Sequence, residues 1–410
     1  MSTEKAKITE SVTKINVADY KTKTEFVKHK NALKSSEKWP IALDIGYSAV
    51  KGMSPVSRFR FPSFARPVKN QQEMMTNAYD DSFIEYKDLE TGEIWKVGES
   101  AYKSLDDNDV ADDAQTLYSR YRYSNPMFKV ILRTGLAFAC MRDGNFVQGK
   151  TVVLQTGLPP QYMKDDSKPL IDSLKGTHKF ELRHGNGKWK QFNITLKEQN
   201  IHIMAQPTGS LLGIAMNNDA GLIKEWKKYF TSKVLVFDAG FGTLDIFELI
   251  ENTPGSTATF DDCGMKAVFE KTLEDFEKKS AISVPIHVFQ NALRLGFIKS
   301  KNRETNVARK IKFDNFLSRS SKDTCKKALN KVAAKYDLTD YDYFIITGGC
   351  GAAWENLIKT ALKGIETMTV LMGNQNDPEL PQVYSNVRGY YLKVVNTTAT
   401  KSKKEEHVSG

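Results

Sequence analysis

The chain is short of several residue types and patterns, and each shortage excludes something. Its 410 residues include four cysteines, Cys140, Cys263, Cys325 and Cys350, widely scattered and forming no CxxC pair. That argues against a zinc ribbon or a disulfide framework. The six histidines show no metal-ligand spacing, so no transition-metal centre is expected. No run approaches the ~18 apolar residues needed to cross a bilayer. The opening stretch, MSTEKAKITESVTK, lacks the apolar segment of a secretory leader. A soluble cytoplasmic protein is the expectation. No GxxxxGK followed by Ser or Thr occurs, which removes a P-loop. No helix-turn-helix, zinc-finger or RNP-like signature points to direct reading of DNA.

What is present reads as globular: 40% apolar and 26% charged residues, in a chain long enough for two or more compact units. The net charge of +10 is unevenly placed. Between Arg294 and Lys335 there are thirteen Lys/Arg against three acids. Such a block is either a solvated helical subdomain or a docking face for an acidic partner, a neighbouring subunit or nucleic acid.

Residues 1–38, rich in Lys, Thr and Glu, read as a flexible extension. Regular structure is expected from WPIALDIGYSAVKGM onward. FKVILRTGLAFAC has helical spacing, and KTVVLQTGLPPQYM is a strand entering a Gly-Pro loop. KFELRH and KQFNITLKEQNIHIMAQP read as strands joined by the HGNGK turn, and PTGSLLGIAMNN as a helix start. GMKAVFEKTLEDFEKK is an amphipathic helix, followed by mostly helical basic material to about residue 336. DYFIITGGCGAAWENLIKTAL is a strand, a glycine turn and a helix, and PQVYSNVRGYYLKVV is a helix before the charged tail 401–410.

Two segments repeat. IALDIGYSAVKG and VLVFDAGFGTLDI each run strand, Asp, x, Gly, turn, strand, with Asp44 and Asp238 separated by 194 residues. Duplication of a mixed β/α unit accounts for this, with each half offering one Asp-Gly hairpin to a cleft. Burying carboxylates costs several kcal/mol, roughly, unless they are compensated, so the hairpins are expected to face something electron-poor. Glycine turns let successive N–H groups point at one anion. Gly46, Tyr47 and Ser48 would form one such nest, and Gly240, Phe241, Gly242 and Thr243 the other. Asp44 and Asp238 repel phosphate and fit better as acceptors for waters around a phosphate-bound Mg²⁺. Gly348, Gly349 and Gly351 would let a flat base or ribose lie against the backbone, or serve only tight packing. Cys350 is expected to fill a buried gap.

These residues together resemble the actin-like ATPase superfamily, and within it the bacterial plasmid-segregating ParM-like actins. IALDIGYSAVKG, with Lys51, is similar to the first phosphate motif. VFDAGFGTLDIFEL, with Thr243 and Asp245, resembles the second, and ITGGCGAAWENLI the adenosine motif. LQTGLPPQYM, HIMAQPTGS, DDCGMKAVFEKTL and NVRGYYLKV extend the resemblance over about 40–398. It implies an α/β actin-like fold of two duplicated ribonuclease-H-like domains around a nucleotide cleft, each with an inserted subdomain. Domain I would span 39–225 with its insertion at about 70–125. Domain II would span 226–400 with a basic helical insertion at about 262–338.

The resemblance further implies ATP (or GTP) with Mg²⁺ as cofactors. Asp44 and Asp238 would organise the metal through water, Lys51 would reach the β-phosphate, and Gln206 would face the attacking water. An amide orients water but accepts protons poorly, so slow hydrolysis is expected. It also implies head-to-tail polymerisation and plasmid partition through a DNA-bound adaptor of ParR type, with no sequence-specific DNA contact and no membrane partner. The long N-terminal extension and the basic block depart from the family pattern. Rival readings are a sugar kinase, a chaperone-type ATPase, a cell-shape actin, or a non-enzymatic basic DNA scaffold. A kinase needs a carboxylate base where this chain has Gln206. The scaffold leaves both Asp-Gly hairpins unexplained.

Overall fold

The computed structural model describes residues 20, 22–68, 80–104, 122–302, 305 and 307–406. They divide into two units, Thr22–Lys227 with the residues from Gly373 onward, and Lys228–Met372 with Tyr20.

The first unit is built on a six-stranded sheet of β1 (Glu25–Lys28), β2 (Lys38–Ile45), β3 (Ala49–Ser54), β4 (Ser57–Pro62), β5 (Thr151–Leu158) and β6 (Ile201–Ala205). Its order is β1-β4-β3-β2-β5-β6, antiparallel from β1 to β2 and parallel from β2 to β6. KWPIALDI is buried almost end to end, as befits a strand covered on both faces. Helix α1 (Pro126–Ala139) packs on β2 and β3. It starts where the Asn125 side chain accepts from the Met127 amide at 2.8 Å, with Pro126 in the first turn. Trp39 Nε1 donates to the Ala139 carbonyl at 2.9 Å and closes its far end. An antiparallel sheet in the order Lys190–Leu196, Gly176–His184, Ile84–Asp88, Ile94–Val97, Ala65–Pro67 completes this part.

Helices α2 (Gln206–Ala215) and α6 (Ser385–Glu406) cross in backbone contact, and α6 also packs on β2 and β5. A Cβ placed on Gly389 would lie 1.7 Å from the Gly209 carbonyl oxygen, and one on Gly157 2.0 Å from the Tyr390 hydroxyl. The glycines of LQTGLPPQYM, MAQPTGS and NVRGYYLKV thus serve one packed junction. Arg388, buried, donates to the Gly213 carbonyl at 2.5 Å and the Asn218 side chain at 2.7 Å. It thereby ties off the end of α2, where carbonyls lack intrahelical partners. Burial lowers its pKa to about 10.

The second unit has a sheet of β7 (Lys233–Ala239), β8 (Leu244–Ile250), β9 (Thr253–Phe260), β10 (Tyr343–Thr347) and β11 (Thr369–Met372) in the order β9-β8-β7-β10-β11. Its pairings are antiparallel, antiparallel, parallel, parallel. The run β4-β3-β2-β5-β6 of the first unit has the same sequence of pairings, so the repeat seen in the two hairpins extends to the topology. Helices α3 (Met265–Ser280) and α4 (Asp314–Lys335) pack together, and α5 (Gly348–Leu362) lies on β7 and β10. Tyr20 belongs here: its ring meets Phe269 edge-on at 6.2 Å, and its hydroxyl is bonded to Ser321, which also accepts from Trp354 Nε1 at 2.9 Å.

Several boundaries differ from those read in the sequence. Residues 1–19 and 21 lie outside the described residues, but Glu25–Lys28 is a strand, so the extension does not run to residue 38. EFVK is held by pairing with β4, its register running from Glu25–Arg60 to Lys28–Ser57, a distant partner that its local composition does not announce. The insertion at about 70–125 is described only at 80–104 and 122–125, and its strands share a sheet with 176–196. The expected domain II loses its end, because residues from Gly373 join the first unit through α6. The tail is helical to Glu406, while 407–410 lie outside the described residues. Finally, the basic insertion is not all helix: Ile298–Asn302 and Val307–Ile311 form an antiparallel ribbon. Its lysines and arginines hid the alternation that marks a strand.

Candidate functional site

Each unit holds one Asp-Gly hairpin. In the first, the register sets Asp44 opposite Lys51, so the salt bridge follows from strand pairing. Lys51 Nζ lies 2.8 Å from Asp44 Oδ2, and Gln206 Nε2, at the start of α2, donates to Oδ1 at 3.3 Å. Asp44 is 3% exposed. A cation and an amide therefore offset the desolvation of this carboxylate. Three residues singled out in the sequence meet here, two from one hairpin and Gln206 from 162 residues further along the chain.

The turn is pinned from outside. Arg122 donates to the Ile45 carbonyl at 2.7 Å and lies over the Tyr47 ring at 4.4 Å. Ser63 holds the Gly46 carbonyl through its hydroxyl at 2.7 Å and the Ser48 carbonyl through its amide at 2.9 Å.

The second hairpin repeats the geometry with different chemistry. Gly240 N–H donates to the Thr243 carbonyl at 2.9 Å, as Gly46 N–H does to Ala49 at 3.1 Å. Both glycine amides therefore close their turns and do not point at an anion, which corrects the nests drawn from the sequence. The position matching Lys51 is Asp245, directly opposite Asp238. Asp245 is buried and accepts from the hydroxyls of Thr243 at 2.8 Å and Thr259 at 2.6 Å. The Thr243 hydroxyl is thus turned toward Asp245. Burial, then the neighbouring Asp238 charge, push the Asp245 pKa up to about 7.

A pH dependence follows. Between the ordinary value of 3.8 and about 7 the unfolded chain loses a proton that the folded chain keeps, so stability falls as pH rises through this window and levels off above it. Asp245→Asn removes the effect. Metal-free Asp245→Asn protein is expected to gain on the order of a few kcal/mol over the parent near pH 8. That margin should shrink on acidification toward pH 5, as read by thermal melts. A constant margin across the range would contradict the assignment.

The loop of this hairpin is also pinned, by residues that the sequence reading passed over. The first amides of α3 bond its carbonyls, Met265 N to Gly240 O at 3.1 Å and Lys266 N to Phe241 O at 2.8 Å. A Cβ on Gly264 would fall 2.5 Å from the Phe241 carbonyl oxygen and 2.9 Å from the Thr243 amide. The Gly264–Met265–Lys266 run at the head of an amphipathic helix was the available signal. Phe241 turns its ring edge-on to Phe269 at 5.8 Å.

The glycines after β10 divide by role. The register sets Asp238 beside Thr347. Gly348 has φ +83°, and a Cβ on it would lie 2.3 Å from the Ala239 carbonyl oxygen and 2.7 Å from Asp238 Oδ1. Conformation and space both require glycine there. Gly351 abuts Ile346, with its Cβ position 3.0 Å from Cγ2, which is helix-on-strand packing. Gly349 alone of the three has room, its nearest neighbour being Met265 Cε at 3.9 Å. Cys350 fills a buried position and its thiol pKa is raised by that burial. Among the described residues no cluster of three or more His, Cys, Asp or Glu could hold a metal directly. The buried carboxylates of Asp44 and Asp238, one in each unit, carry hard oxygen donors of the kind that accept from the waters of a hydrated Mg²⁺.

Residues 42–209 match the family described as "Actin like proteins N terminal domain". No curated protein matches the chain. Among solved structures, a non-polymerisable quadruple mutant of pCBH ParM is 20% identical at a TM-score of 0.65, covering 87% of this chain and 98% of its own. The 15-stranded ParM filament from Clostridium botulinum gives 19%, 0.64, 88% and 99%. An archaeal actin homologue, Ta0583, in complex with ADP gives 15%, 0.57, 86% and 98%. At such identities the likeness establishes fold. The chain therefore has an actin-like fold, and its residues 42–209, spanning Asp44, Lys51 and Gln206, match an actin-like N-terminal domain.

Proposed function

We propose that this protein is an ATPase that binds Mg–ATP through both Asp-Gly hairpins, polymerises in the ATP form, and segregates plasmid DNA through a DNA-bound adaptor. The observation that carries the reading is the meeting of Asp44, Lys51 and Gln206 at a turn whose carbonyls are drawn back onto Arg122 and Ser63. Carbonyls repel phosphate, and holding them away presents the loop's other face to an anion. The phosphate contacts fall to the amides of Tyr47 and Ser48, and of Phe241, Gly242 and Thr243.

Lys51 would exchange part of its bond to Asp44 for the β-phosphate, where a cation offsets charge on the leaving group. Gln206 gives its amide N–H to Asp44, which leaves its carbonyl oxygen to orient the attacking water. With no strong base at this position, turnover is slow. Asp44 and Asp238 would hold Mg²⁺ through water; the ion, when bound, neutralises charge building on the phosphates. Gly349 offers space for the adenosine.

Self-association is supported by the filament formed by the Clostridium botulinum ParM. A head-to-tail contact that does not close generates a fibre. Purified protein mixed with Mg–ATP is expected to scatter light above a critical concentration and to show filaments by electron microscopy, while nucleotide-free protein stays dispersed. Persistent monomers over a wide concentration range, with ATP bound, would move the reading to a non-polymerising ATPase.

A further inference from the structure

A groove in the first unit, lined by neither Asp44, Lys51 nor Gln206, has a volume of about 540 Å³. Phe26 on β1, Val56, Met141 and Phe192 give it apolar walls. Phe26 is only half-buried, although it stands 5.5 Å from Phe138 and stacks on Phe59 at 6.4 Å. Four lysines border the groove: Lys28 and Lys30 on one stretch of chain, Lys188 and Lys190 on another. All four are exposed, and Lys28, Lys30 and Lys188 have no ionic partner among the described residues, while Lys190 donates to the Gly144 carbonyl. The acid at the groove, Asp143, lies 3.8 Å from Arg142.

A cavity of this size with apolar walls and a few charged groups suits a ligand with one apolar anchor. Cations on both sides suit anions on both sides of that anchor. Val56, Met141 and Leu182 stand beside the Phe26 and Phe192 rings, each of which already packs on a further ring, Phe138 and Phe180; such a mixed apolar seat suits a hydrophobic side chain. We infer that the groove docks an acidic peptide segment of a partner protein, its large apolar residue seated among Phe26, Val56, Met141 and Phe192 and its flanking carboxylates on the two lysine pairs. Charge complementarity sets orientation and the rate of encounter, and the anchor sets residence time. The inference stands on the groove alone and does not depend on nucleotide binding.

The test is fluorescence anisotropy of the full chain with a labelled peptide in which acidic runs flank Phe-Leu. A matched peptide with Ser-Ser at its centre should bind at least about tenfold more weakly, because the anchor is missing. Lys28→Glu with Lys188→Glu should weaken the Phe-Leu peptide by a similar factor. Val56→Trp, which fills the groove at constant charge, should do the same. Lys322→Glu with Lys326→Glu, on the basic helix α4, should leave affinity unchanged and so exclude adhesion by net charge. Equal binding of the two peptides overturns the proposal. So does unchanged affinity in both groove variants, or a single-stranded oligonucleotide that binds the groove more tightly than the Phe-Leu peptide.

Discussion

Asp238→Ala is expected to lower ATP turnover by about 10²–10³-fold, the usual cost of losing a preorganised electrostatic group, while the metal-free protein melts no lower than the parent. Both halves follow from the hairpin. Asp238 is 4% exposed and faces Asp245 across the ladder. Removing it takes away a like charge that, with burial, pushes the Asp245 pKa up. The fold should tolerate the change or gain from it, so lost turnover can be assigned to the site. Asp238→Asn, of the same shape without the charge, is expected to lose nearly as much activity. Phosphate release within threefold of the parent in either variant, measured at saturating Mg–ATP, would remove Asp238 from the proposed role.

The second large effect concerns folding. Helix propensity alone predicts that Gly389→Ala, inside α6, stabilises the protein by about 1 kcal/mol. The crossing with α2 predicts the reverse. The added carbon would stand 1.7 Å from the Gly209 carbonyl oxygen, and the obstacle is backbone, which cannot swing aside as a side chain does. Overpacking commonly costs about 1–3 kcal/mol, and here the two helices must part. A loss of about 3 kcal/mol or more is expected, a fall in melting temperature on the order of 10 °C. Gly364→Ala, where an added Cβ meets nothing within 4 Å, should be nearly neutral. If Gly389→Ala melts as high as Gly364→Ala, the helices do not touch as described.

Much of the framework was legible because it rests on local pattern. Both Asp-Gly hairpins, the amphipathic α3 and the strand-to-helix step at Gly348 are marked by alternation, helical spacing or glycine. The pairing of Asp44 with Lys51 could also be reached, since seven residues across a tight turn bring them face to face. What escaped depends on partners distant in the chain. Arg122 and Ser63 hold the first turn, yet nothing in RYS or FPSF signals it. The glycine nests were misjudged at Gly46 and Gly240 because a sequence shows that an amide is flexible, not that a carbonyl three residues on already takes its hydrogen. The glycines of LQTGLPPQYM and MAQPTGS gave no sign in the sequence of what they serve: Tyr390 and Gly389 fill the space beside them.

The return of the chain to its first unit has a consequence for biosynthesis. Helix α6 covers β2, β5 and α2, yet these are made first and α6 last. Residues 22–227 thus leave the ribosome with an apolar face bare, and it stays bare while the whole second unit is translated. A transcript truncated after Met372 would yield a product in which the later-made unit can fold and the earlier-made one cannot finish.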